Sequence, residues 1–155
     1  MPSTHRLYAI THSLYSGRAR AYLIKQGIAF RELSTGHESF KADVLPKAKL
    51  PTIPTLVTPA GEVIRDGAAI IEHFEAKTGR PCRPTGPRQR VLSALFDVIG
   101  TDGLLRPAMH YRWWYPEGRA ALGWHLADEL MSEIPLPAAM KRTLIRRRQL
   151  GGFVK

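Results

Sequence analysis

The sequence has one cysteine, Cys82, among 155 residues. A single thiol cannot close an internal disulfide, and alone it cannot hold a structural zinc. Uncharged runs are short as well. The longest stretch without Asp, Glu, Lys or Arg is Leu50 to Gly61, twelve residues interrupted by three prolines, which excludes it as a membrane span. Acid is the third shortage: 13 Asp and Glu stand against 23 Lys and Arg, a formal charge of +10. Such a balance raises the question of a polyanionic partner. There is no repeat at solenoid period and no low-complexity tract. The N-terminus runs from Met1-Pro2-Ser3 straight into a strand-like segment, without the basic, apolar and small-residue order of a secretory signal, so a cytoplasmic location is the expectation.

What remains is ordinary globular composition, 44% hydrophobic and 23% charged. The basic excess is unevenly divided. Residues 1–79 carry 10 basic and 7 acidic side chains, net +3, and residues 80–155 carry 13 and 6, net +7. Lys141, Arg142, Arg146, Arg147 and Arg148 make up much of the second value.

Leu7 to Ile10 form a short apolar run of strand type, a polar turn follows at His12 and Ser13, and Tyr15, Ala19, Tyr22 and Leu23 then recur at helical spacing. Gly27 is placed to end that helix, and Ile28, Phe30 and Leu33 alternate as a second strand. Strand, helix, strand implies a parallel pair with a right-handed crossover. Residues 37–49 read as polar and irregular, and Pro51 and Pro54 forbid a long helix before Leu56. Leu56 to Thr58 and Glu62 to Arg65 flank a Pro59-Ala60-Gly61 turn as an antiparallel hairpin. Ala68, Ile70, Ile71 and Phe74 predict a helix ending before Gly79.

Residues 80–87 are rich in proline and glycine and read as a linker. Beyond it Val91, Leu92, Leu95, Phe96 and Ile99 share one helical face, and the remainder reads as helical with breaks near Gly103, Pro107, Pro116 and Pro135 to Pro137, roughly three helical segments in all. Leu136, Met140, Leu144 and Ile145 predict an apolar stripe on the last helix, with the arginines keeping the remaining surface solvated. The expected architecture is an α/β domain of βαβ-ββα order over 1–79, a linker over 80–87 and a partial all-α domain over 88–155.

The order of elements and three local words resemble the thioredoxin-like N-terminal domain of cytosolic glutathione transferases of the serine type. Ser13-Leu14-Tyr15-Ser16-Gly17-Arg18-Ala19-Arg20 is similar to that family's Ser-Pro-aromatic-x-x-Arg-x-Arg opening. Ile53-Pro54-Thr55-Leu56 is similar to its Val-Pro-x-Leu, and Gly61 through Phe74 to its Gly, acidic-Ser, x-x-Ile-x-x-aromatic stretch. The resemblance implies a protein that conjugates or reduces small hydrophobic electrophiles with glutathione as co-substrate, with no further cofactor.

The chemistry is coherent with these residues. A thiol with a pKa of about 8.5 is a weak nucleophile at neutral pH until something stabilises its thiolate. A hydroxyl at a helix N-terminus offers a hydrogen bond and the positive end of the helix dipole together. Ser13 stands where the resemblance expects that donor. The bland reading is a helix cap, which is the commoner role of a serine before a helix, and Ser16, weighed for glutathione contact, leans further towards capping. The resemblance implies a cis Ile53-Pro54 bond whose preceding residue docks the glutathione backbone, against the alternative of a trans proline ending a loop. Asp66-Gly67 falls at the family's acidic-Ser pair, which receives the γ-glutamyl end at a helix N-terminus. Gly67 lacks the hydroxyl and Asp66 is shorter than the usual Glu, so this end is expected to grip less tightly. Equally, Asp66 could serve only as an N-cap.

Other features carry less. His12 could act as a base but reads as a solvated turn residue, and Lys49 is out of register with the family's lysine. Met109 to Tyr115 is aromatic-rich, suiting interdomain packing or, through Tyr111 and Trp114, the wall of an electrophile pocket. His110 and His125 lack metal-ligand spacing, and no metal is expected. The shortened helical part implies exposed apolar surface and hence a homodimer. Two further readings compete: a non-catalytic glutathione-transferase-like binding or assembly protein, and a basic nucleic-acid-binding module. Against the latter, a terminal charge run is usually a solvated face.

Overall fold

The computed structural model describes residues 4–48, 52–79 and 81–153. Contacts divide them into two units, one running to Pro81 and including Glu129–Glu133, the other comprising Cys82–Asp128 and the residues from Ile134 onward.

The first unit is built on a four-stranded sheet ordered β2-β1-β3-β4, from β1 (His5–Tyr8), β2 (Phe30–Leu33), β3 (Thr55–Val57) and β4 (Val63–Arg65). β1 pairs in parallel with β2 and antiparallel with β3, and β3 and β4 form the expected hairpin. Successive strand residues face opposite sides, so adjacent apolar residues serve two cores. Leu7 and Leu56 meet Ala19 and Leu23 of α1 (Leu14–Lys25) and Ile70 and Phe74 of α3 (Gly67–Glu75) on one face. Tyr8 and Val57 meet Phe40, Val44 and Ala48 on the other. The result is a thioredoxin-like α/β layer arrangement.

α1 ends as its sequence implies. Gly27 has φ +66° beyond the cap residue Gln26, and the Gly27 N–H donates to Ile24 O while Ile28 N–H donates to Leu23 O. That 6→1 and 5→2 pair satisfies the last carbonyls, and Ile28 joins the core beside Leu23.

One expectation here is corrected. Residues 37–49 are not irregular: α2 (Glu38–Asp43) lies within them, capped by the His37 side chain, which accepts from Ser39 N. Phe40 and Val44, one helical turn apart, anchor it on the sheet, a stripe too short to stand out among polar neighbours. Lys49 and the Leu50-Pro51 pair lie outside the described residues.

The second unit is helical, with α4 (Pro87–Val98), a π-turn (Ile99–Gly103), α5 (Leu105–Trp114), α6 (Pro116–Leu130) and α7 (Ala138–Phe153). Four α-helices therefore replace the three expected segments. Pro107 breaks nothing, because it sits in the first turn of α5, where its missing N–H would have no intrahelical acceptor. The predicted stripe on the last helix also fails as a unit. Leu136 precedes α7, Met140 and Leu144 are exposed, and of the four only Ile145 is buried. The buried large apolar side chains of this unit are Trp113 and Ile145, with Ala127. The α4 face carrying Val91, Leu92, Leu95 and Phe96 is exposed, Val91 by 70% and Phe96 by 68%. No helix among the described residues is long and apolar enough to cross a membrane.

Candidate glutathione site

Ser13 is the N-cap of α1, with extended backbone and its hydroxyl oxygen accepting from Ser16 N at 3.2 Å. Capping uses a lone pair and leaves the O–H to donate elsewhere. The loop that carries Ser13 is pinned from outside. Arg20, two turns into α1, donates through Nε and Nη2 to the two carboxylate oxygens of Glu32 at 2.6 and 2.5 Å, and also to the carbonyls of Ile10 and Thr11. The Glu32 hydrogen bonds hold the Arg20 pKa above its usual range. Thr11 N donates to a Glu129 carboxylate oxygen at 3.0 Å, closing the far side of the turn.

Ser16 is not the cap. Its backbone N–H is the group being capped, while its side chain is fully buried and its hydroxyl has no partner among the described residues.

The Ile53–Pro54 peptide is cis. Pro54 is buried and its carbonyl accepts from Asp66 N at 3.0 Å, which ties the start of β3 to the start of α3. Ile53 is half-buried, and its backbone forms no hydrogen bond to another backbone group among the described residues. Thr55 Oγ1 donates to Thr52 O at 2.6 Å and holds the bend in place.

Asp66 caps α3, its carboxylate accepting from Ala68 N at 2.7 Å. Its backbone has φ +79° and ψ 141°, a region in which a side chain costs about 1–3 kcal/mol, and the cap together with the Pro54 bond holds it there. Gly67 follows as the first residue of α3. A Cβ there would lie 3.3 Å from Tyr15 O, 3.7 Å from Arg18 Cδ and 3.8 Å from Pro54 Cγ. The first turn of α1, the cis proline and the N-terminus of α3 thus converge on one spot. Tyr15 and Arg18 are the residues sequence reasoning passed over, although both lie inside the Ser13 to Arg20 word that drew attention to Ser13.

This geometry has a counterpart in known proteins: residues 7–82 match the family described as Glutathione S-transferase, N-terminal domain. The chain carries a glutathione S-transferase N-terminal domain. Solved transferases share the fold. A tau-class enzyme from mango, Mangifera indica, superimposes with a TM-score of 0.57 at 18% identity, covering 82% of this chain and 61% of its own. A glutathione S-transferase from Methylobacterium radiotolerans, in complex with glutathione sulfonate, gives 0.55 at 17%, covering 96% and 64%. Glutathione transferase Omega 3C from Trametes versicolor gives 0.57 at 18%, covering 100% and 78%. The chain therefore spans less than two thirds of the length of the first two. No curated protein sequence matches it.

The remaining candidates are placed as follows. Tyr111 and Trp114 belong to α5 in the second unit and are exposed, Tyr111 stacked on Tyr115 and Trp114 on His110. Trp113 between them turns inward and is buried. His12 is half-buried in the turn beside the transferase domain's Ser13. Among the described residues no group of His, Cys, Asp and Glu is arranged to hold a metal.

Proposed function

We propose that this chain is a glutathione transferase-like protein that conjugates small hydrophobic electrophiles with glutathione. The observation that carries the reading is the convergence at Gly67 of Tyr15 and Arg18 from α1, Pro54 from the β3 entry and the N-terminus of α3. Asp66 strengthens it, because strained backbone held by its surroundings concentrates at binding and catalytic sites. In this reading Ile53 pairs through its N–H and C=O with the peptide backbone of glutathione. Asp66 meets the γ-glutamyl amino group while the α3 N-terminus receives the carboxylate. Ser13 donates its O–H to the sulfur. The thiol proton leaves to solvent, the thiolate attacks the electrophilic carbon, a C–S bond forms and the leaving group departs with its electron pair.

Residues 1–79 then form the glutathione-binding domain, 80–87 a linker and 88–155 a partial all-α domain whose Tyr111 and Trp114 offer aromatic surface to the electrophile. Ser16, buried behind the cap, supports the turn from within. A homodimer fits the exposed α4 face, and the reading keeps the cytoplasmic location expected from the sequence.

Ser13→Ala is expected to slow conjugation of a model aryl halide at least tenfold, since a hydrogen bond to a charged group is worth about 1.5–3 kcal/mol, or one to two decades in rate. Losing the cap also costs about 1 kcal/mol of stability, read as a lower Tm. Unchanged turnover in Ser13→Ala would remove this assignment, and Ser16→Ala would then be measured.

A second reading, a non-catalytic binding or assembly protein, is favoured by Gly67. The tight 3.3 Å approach to Tyr15 O crowds the serine the family places there. Calorimetric titration with glutathione separates the two: binding supports the transferase, and silence up to millimolar glutathione supports the assembly protein.

A further inference from the structure

Within the second unit, α6 and α7 enclose a cavity of about 340 Å³ lined by Pro116, Arg119, Gly123 and Trp124 from α6 and by Arg142 and Arg146 from α7. Three arginines line one concave space, and no acidic residue is among those lining it. Among the described residues none of the three arginine side chains forms an ion pair or a hydrogen bond. Arg142 lies with its guanidinium carbon 3.6 Å over the Trp124 ring, and its Nε is buried without an acceptor. A buried N–H left unpaired is unfavourable, and so is the crowding of like charges in a recess partly shielded from water. Both conditions are relieved by one anion seated among the arginines.

The shape of the site narrows the ligand. Guanidinium groups present forks of N–H donors that match planar or tetrahedral oxyanions two bonds at a time. Stacking on Trp124 fixes the Arg142 plane in advance, which reduces the ordering cost of binding. Pro116 opens α6, so the positive end of that helix dipole adds to the field. The volume lies at the lower end of small-molecule sites, larger than an inorganic ion needs, and the indole and Gly123 give part of it an apolar wall. We propose that the α6–α7 cavity binds a small organic oxyanion, best met by a phosphate monoester carried on a flat apolar body. This site shares no residue with the glutathione site and does not depend on it.

The test is calorimetric titration of the full chain with phenyl phosphate at about 0.15 M salt, where exposed charges are largely screened. Submillimolar affinity is expected, at least tenfold tighter than for inorganic phosphate or for phenol. Arg146→Ala, at an exposed position, and Arg142→Gln are each expected to weaken binding at least tenfold with the circular dichroism spectrum unchanged. Arg148→Ala, outside the cavity, is expected to leave it unaltered. If Arg142→Gln fails to fold, Arg146→Ala carries the comparison alone. Three results would overturn the proposal: no binding at millimolar phenyl phosphate, equal losses in Arg146→Ala and Arg148→Ala, or a single-stranded oligonucleotide that displaces the probe with higher affinity through the same arginines. The last would mark a nucleic-acid surface instead.

Discussion

Tyr8 shows how one side chain can set a pH limit on the first unit. Its ring is fully buried and edge-on to Phe40, and its hydroxyl donates to Asp43 Oδ2 at 2.5 Å, with Ser39 Oγ at 2.8 Å and Arg6 paired to the same carboxylate oxygen at 2.9 Å. Burial first, and then the hydrogen bond to Asp43, raise its pKa above the usual 10.0. The fold therefore favours the neutral phenol. Its contribution is complete below pH 10 and is lost as the pH climbs through the raised value. Urea midpoints at pH 8 and pH 10.5 should fall further for the wild type than for Tyr8→Phe, whereas at pH 8 the variant should be about 1–2 kcal/mol less stable. Equal falls would clear Tyr8 as the alkaline trigger. Nothing in the sequence marks this group, because Asp43 lies 35 residues away on a helix that polar composition conceals. Ser13, Pro54 and Asp66 were legible for the opposite reason: each belongs to a short word whose spacing is set by one turn.

Elements were readable where a single period runs long enough. α1, the hairpin and α3 follow from apolar spacing, and Gly27 and Gly61 fall at positive φ where turns were expected. α2 escaped because six residues hold barely one repeat. The corner between α5 and α6 falls at the break expected near Pro116, but its tightness depends on a close approach that no composition reveals. Only Tyr115 separates the two helices, and a Cβ added to Gly118 would fall on the Arg112 carbonyl oxygen. Gly118→Ala should therefore cost about 1–3 kcal/mol, despite the helix-propensity gain of about 1 kcal/mol that alanine brings elsewhere. Gly151→Ala in α7, where nothing lies within 4 Å of an added Cβ, should show that gain. Thermal unfolding of both variants checks the pair, and parallel shifts would contradict the steric account.

At the scale of the molecule, the amphipathic pattern of α4 was plain in the sequence, but periodicity states only that a face is apolar and leaves open what covers it. Within this chain that face is open, with Val91, Leu95 and Phe96 all more than half exposed. Sedimentation equilibrium is expected to show a homodimer, and Phe96→Glu to convert it to monomer without loss of helix content; a wild type that is monomeric at tens of micromolar would dismiss the interface. Cys82 bears on the same measurement. It is exposed, and it is the chain's one thiol. Oxidation can therefore join chains in twos and never in larger numbers, and any ladder beyond a doublet on a non-reducing gel has to come from surfaces other than sulfur. The same solitary atom gives every molecule one address for a dye or spin label, with no background to remove.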